Sequence, residues 1–146
     1  MKKYKLGYTQ GAFDMFHIGH LNLINHAREQ CERLIVGVNS DALIREYKRK
    51  SAVINENERA EIVRNLKAVD ECAVVDTLDK VEAWQRWHFD AIFIGDDWKG
   101  NPRWEKTRTD LAALGTDLVY LPRTEGVSST DLAAVIKKIL DDSNPA

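Results

Sequence analysis

A chain of 146 residues, 44% apolar and 30% charged, has material for one core, so the expectation is one domain over 1–146. Its net charge of −2 excludes a nucleic-acid binder working by bulk attraction, so any anion site must be built from a few placed groups. No stretch approaches the roughly 20 apolar residues of a membrane span, and MKKYKLGYTQG lacks an apolar leader segment, so the chain reads as cytoplasmic, with Cys31 and Cys72 reduced.

In chain order, YKLGYT (4–9) reads as a first strand. HLNLINHAREQC (20–31) repeats Leu21, Ile24, Ala27 and Cys31 at helical spacing. RLIVGV (33–38) is a branched apolar run, hence a buried strand. Helices follow over 40–47, capped by Ser40, and over 55–69, capped by Asn55 or Asn57. CAVV (72–75) and AIFIG (91–95) are strands flanking a helix over 78–89. Asn-Pro opens and Gly closes a helix over 101–115, DLVYLP (117–122) is a fifth strand, and 128–142 is a last helix.

Strand and helix in alternation predict an α/β fold: a Rossmann-like three-layer sandwich with a five-stranded parallel sheet. In such sheets ligands sit beyond the carboxyl ends of the strands, where strand order reverses. The unusual residues do follow strands, at 10–20, 39–50, 95–100 and 122–130. Gly7 and Gly11 have the wrong spacing for a dinucleotide fingerprint. Gly95 and Gly100 have P-loop spacing, but Asn101 replaces the lysine and Asp96 and Asp97 repel phosphate.

FDMFHIGHLNLI (13–24) sets His17 and His20 on either side of Gly19 at a predicted helix start. Helix N-termini attract anions, Gly19 admits a close ligand, and residues three apart point the same way. Two imidazoles there make a clamp for a phosphate whose charge rises during reaction. YKRKSA (47–52) adds three cations on the predicted ligand edge. Trp84 and Trp87, three apart, read as core or subunit contact.

GAFDMFHIGH resembles the H-x-G-H signature of the nucleotidyltransferase superfamily, which class I aminoacyl-tRNA synthetases share. GDDWKG (95–100) and RTEGVSST (123–130) resemble segments of its cytidylyltransferase family. In this order and spacing the chain resembles the glycerol-3-phosphate cytidylyltransferases, over about residues 3 to 140. The resemblance implies transfer of CMP from CTP to a small alcohol phosphate, sn-glycerol 3-phosphate foremost, with Mg²⁺ accompanying CTP. It also implies a homodimer, with no nucleic acid or membrane as partner. Two other readings stay open: transfer from ATP or to another alcohol phosphate, as in heptose-phosphate, pantetheine-phosphate or FMN adenylylation, and a nucleotide-binding regulator without turnover.

The resemblance assigns catalysis to His17, His20, Lys50 and Arg123. It assigns nucleotide binding to Ala12, Phe13, Asp14, Ile18, Gly19, Asp97, Thr124, Glu125, Gly126, Val127, Ser128, Ser129 and Thr130. Asp14 is read equally as a Mg²⁺ contact or a helix-entry carboxylate, and Asp97 as a ribose or amino-group contact. Lys48, Lys80 and Lys67 are assigned to the second substrate, Lys67 standing where close relatives carry arginine. Two departures stand out: Ala12 replaces a common threonine and Gln10 an aromatic residue.

Overall fold

The computed structural model describes residues 2–124 and 129–143, with side chains over 2–124 and 132–142. Its strands are β1 (Tyr4–Gly11), β2 (Cys31–Asn39), β3 (Glu71–Val75), β4 (Ala91–Gly95) and β5 (Asp117–Leu121), and its helices are α1 (Ile18–Glu29), α2 (Asp41–Lys48), α3 (Glu56–Arg64), α4 (Lys80–Trp87), α5 (Pro102–Ala112) and α6 (Ser129–Ser143). All strand pairs are parallel, in the order β3-β2-β1-β4-β5. The chain winds outward through β2 and β3, then returns to the other side of β1, so strand order reverses between β1 and β4.

Period-two alternation divides the core. Leu34, Val36, Val38 and Phe93 face α1 and α3, where Ile24, Ala27, Ala60 and Val63 meet them. Ile35, Ile92 and Ile94 face the other way, toward Ala83 of α4 and Trp104 and Leu111 of α5. The sheet is therefore covered on both faces, as a parallel sheet requires. Trp87 stacks at a tilt on Tyr8, and Trp84 stacks on His88.

Element types match the sequence reading and several boundaries move. Helix α1 begins two residues earlier than expected and stops at Glu29, because Cys31 pairs with Tyr4 and opens β2. Helix α3 stops at Arg64 instead of running to 69, as the Asn65 side chain turns back onto the Glu61 carbonyl at 2.7 Å. Asp96–Trp98 forms a single 3₁₀ turn that periodicity did not signal.

Where strand order reverses, the sheet opens. β1 and β4 share two register pairs, Gly7 with Ala91 and Tyr8 with Ile92, whereas β1 and β2 stay paired out to Gly11 and Val38. The Thr9 hydroxyl donates to the Phe93 carbonyl at 2.9 Å just beyond the last ladder pair. The parting strands leave a crevice at the carboxyl edge, where α/β sheets bind ligands.

Candidate active site

The crevice widens into a cleft of about 690 Å³, lined by His17, Gly19, His20, Lys48, Lys50, Asp97, Arg123 and Thr124 among others. That volume suits a nucleotide-sized ligand.

His17 is the N-cap of α1, and its Nδ1 accepts from the Gly19 amide at 3.0 Å. His20 answers from the first turn: its Nδ1 accepts from the His17 amide at 3.3 Å. The rings stack with centroids 3.8 Å apart. Because each Nδ1 is an acceptor, each neutral ring carries its proton on Nε2. The His17 Nε2 is buried and has no partner among the described residues. The cap thus fixes both tautomers and leaves the His17 Nε2–H for a ligand.

Burial lowers both pKa values, taking His20 to about 4, with the neighbouring His17 contributing second. The resting pair is therefore neutral at pH 7. A base whose folded pKa lies below its unfolded value of about 6.5 destabilises the fold as pH drops, because the unfolded chain takes a proton the folded one refuses. Thermal melts are expected to show the midpoint falling as pH goes from about 6.5 to about 4, with a His20 contribution of at most about 1.4 kcal/mol per pH unit. H20Q is expected to flatten that slope, and an unchanged slope would mean that folding does not lower the His20 pKa.

The loop from β1 to α1 holds Phe13 and Met15 at φ of 50° and 49°, a left-handed conformation that non-glycine residues rarely adopt. Strain of this kind clusters at functional sites. Asp14, between them, accepts from the Val53 amide at 2.8 Å, the Ile54 amide at 2.9 Å and its neighbour Met15 at 3.1 Å. Its carboxylate ties this loop to the segment after Lys50. These bonds tie two loops together and do not cap α1, whose N-cap is His17. Among the described residues no group of three His, Cys, Asp or Glu side chains is placed to hold a metal ion.

Arg59, which the sequence reading passed over, organises the floor. Its side chain is 0% exposed and pairs with Asp41 at 2.6 Å. Nη1 donates to the carbonyls of Ala12 at 2.6 Å and Asn39 at 2.8 Å, and Nε to that of Ile54 at 2.8 Å. One guanidinium thus joins the ends of β1 and β2 to the loop before α3. A signal existed: Arg59 lies four residues before Val63, on the apolar face of α3.

The remaining expected residues separate into those the cleft gathers and those it does not. The Ala12 carbonyl is held by Arg59, while the buried Phe13 ring packs edge-on against His20 at 5.4 Å. Ile18 is exposed at the first turn of α1. Asp97 lies over Gly95, its Oδ1 2.5 Å from where a Cβ there would stand, so a larger residue at 95 would push the Asp97 carboxylate aside. Thr124 accepts from Asn22 of α1 at 2.9 Å, bringing the β5 loop to the histidine helix. Glu125, Gly126, Val127 and Ser128 lie outside the described residues. Ser129 and Thr130 open the backbone of α6, and their side chains also lie outside.

Lys80 is buried, donates to the Leu78 carbonyl at 2.6 Å and stands behind Trp104 rather than in the lining. Lys67 is exposed and precedes β3, toward the amino ends of the strands, so it is absent from the lining as well. No helix among the described residues is long and apolar enough to cross a membrane.

Residues 8–135 match the family model described as Cytidylyltransferase-like. The chain is 33% identical over 125 residues to the glycerol-3-phosphate cytidylyltransferase of Bacillus spizizenii, covering 85% of this chain and 91% of that one. It is 35% identical over 132 residues to the bifunctional protein HldE of Hyphomonas neptunium, covering 89% of this chain but about a quarter (26%) of that protein. Among solved structures, the lipopolysaccharide core biosynthesis protein of Thermoplasma volcanium shares the fold at a TM-score of 0.73 and 22% identity, over 84% of this chain and 99% of that one. The pantoate-beta-alanine ligase of Francisella tularensis does so at 0.62 and 16% identity, over 99% of this chain and 76% of that one.

Proposed function

The chain belongs to the cytidylyltransferase-like family, of the nucleotidyltransferase type, and from that premise we propose that it transfers CMP from CTP to sn-glycerol 3-phosphate, releasing pyrophosphate. An acceptor phosphate oxygen attacks the α-phosphorus. A new P–O bond forms there as the bond to the β-phosphate bridging oxygen breaks, and pyrophosphate leaves with the electron pair. The attacking oxygen is already anionic, so no general base is needed. The barrier is the approach of one anion to another, met by positioning and charge stabilisation.

The observation that carries this reading is the capped histidine pair, with its Nε2–H groups, in one cleft with Lys48, Lys50 and Arg123. His17 and His20 donate to oxygens on the α-phosphate and the leaving group. Lys48 and Lys50 hold the acceptor phosphate and draw it toward the α-phosphorus. Partial desolvation and the neighbouring Lys50 lower the Lys48 pKa, which suits a lysine awaiting an anion. Arg123 and Thr124 take the outer phosphates, and Asp97 takes the ribose or the cytosine amino group. CTP arrives as its Mg²⁺ complex, the ion carried on the phosphates. By resemblance to its relatives the enzyme works as a homodimer, which sedimentation tests.

Pyrophosphate release, measured with each nucleoside triphosphate against a panel of alcohol phosphates, is the deciding experiment. Turnover with CTP and sn-glycerol 3-phosphate is expected to exceed every other pairing. Turnover with ATP and none with CTP would reject the reading.

A further inference from the structure

Trp104 sits where a core phenylalanine would have sufficed. It lies seven residues before Leu111 on the inner face of α5, and both belong to the core on that side of the sheet. Trp104 is 7% exposed and lines the cleft, yet its indole N–H meets no acceptor among the described residues. A buried donor left without a partner costs free energy that phenylalanine would not.

The two faces of the sheet divide the cleft. His17, His20 and Thr124 gather about α1, with Asn22 and Thr124 bonded across. Gln10, Ile94 and Trp104 come from the opposite face, under α4 and α5. With the triphosphate at the mouth of α1 and the nucleoside at Asp97, as proposed above, the acceptor chain is assigned to the wall of Gln10, Ile94 and Trp104. On that wall the Gln10 amide is committed: Nε2 donates to Asn39 Oδ1 and to the Thr77 carbonyl, both at 2.9 Å, and Oε1 accepts from the Tyr8 hydroxyl at 2.6 Å. Among the described residues of that wall, the indole is a donor left uncommitted.

Two cations, Lys80 and Arg103, stand near it. The Lys80 ammonium stands 5.0 Å from the Trp104 ring centroid. Burial, with Arg103 adding to it, holds the Lys80 pKa down at about 8. Asp79 opposes this shift but is turned to the amides of Val81 and Glu82, which it caps. Such a wall suits an oxygen and repels an ammonium group.

Resting on the acceptor chemistry proposed above, we propose that Trp104 determines acceptor specificity: its indole N–H donates to a hydroxyl oxygen on the alcohol chain, selecting a hydroxylated, uncharged alcohol over a deoxy or ammonium-bearing one. The test compares sn-glycerol 3-phosphate, propyl phosphate and phosphocholine as acceptors with CTP, in the wild type and W104F, which keeps most of the ring and removes the N–H. The wild type is expected to favour glycerol phosphate over propyl phosphate by about tenfold or more in kcat/KM. W104F is expected to bring that ratio close to one, with KM for CTP within about twofold of the wild type. Phosphocholine is expected to be the poorest acceptor of the three.

Independently of any variant, the Trp104 indole N–H resonance of the wild type is expected to move with glycerol 3-phosphate and not with propyl phosphate. A ratio that W104F leaves unchanged, or a resonance indifferent to the hydroxyls, overturns the inference. Failure of every alcohol phosphate with CTP overturns the proposed function instead.

Discussion

H17N is expected to lower kcat by about 10²–10³, the loss typical of removing one preorganised donor to a developing charge, while leaving stability within about 0.5 kcal/mol of the wild type. Asparagine is a good N-cap and still accepts from the Gly19 amide, as the His17 Nδ1 does at 3.0 Å. It carries nothing at the place of Nε2. H17A removes both functions, so it is expected to lose the same activity and about 1 kcal/mol of stability besides. H20Q makes the parallel separation, because glutamine three residues after the cap still reaches back to the His17 amide. The double variant H17N/H20Q is expected to lose less than the product of the single losses, since both rings serve one leaving group. Full activity in H17N would reduce His17 to a helix cap and remove the chemical basis of the proposed function.

The capping role and the chemical role were not equally legible in the sequence. Element types, the parallel sheet and the carboxyl edge followed from periodicity, because both faces of this sheet are buried and β2 and β4 are near-continuous apolar runs. The histidine pair was legible because it interrupts a helical pattern at its start. Its geometry was not: nothing in the spacing of His17 and His20 says that the His20 ring caps the His17 amide while the His17 ring caps that of Gly19. Lys80 and Lys67 show the limit of placing cations by order in the chain. One is turned inward beneath Trp104, and the other lies toward the opposite edge of the sheet. Arg59 and Trp104 were hidden for a different reason. Each sits at an inward helical position, where periodicity registers burial and says nothing of the polar atoms that burial must satisfy.

Arg59 carries the largest stability effect. R59M keeps an unbranched apolar stem and removes the guanidinium, leaving Asp41 without its ion pair and the carbonyls of Ala12, Asn39 and Ile54 without their donor. Breaking a buried pair by removing one partner costs about 3–5 kcal/mol, a large part of the roughly 5–15 kcal/mol that holds a domain together. In a chain of this size the melting temperature is expected to fall by about 10 °C or more. Replacing both partners of a simple buried ion pair with apolar residues often restores stability, sometimes with a surplus. Here it is not expected to. In D41L/R59M the three carbonyls remain unsatisfied, so the double variant is expected to recover less than half of what R59M loses, measured by denaturant unfolding. R59K keeps the charge but not the fork, and a single ammonium cannot reach four acceptors spread over the loop after β1, β2, α2 and the loop before α3. It is expected to fall between the wild type and R59M in stability. Because Arg59 holds the Ala12 carbonyl, one residue before the strained turn at Phe13, R59K is also expected to weaken nucleotide binding. Complete recovery in D41L/R59M would mean that the ion pair alone mattered, and that the carbonyls at the floor of the cleft find other partners once the guanidinium is gone.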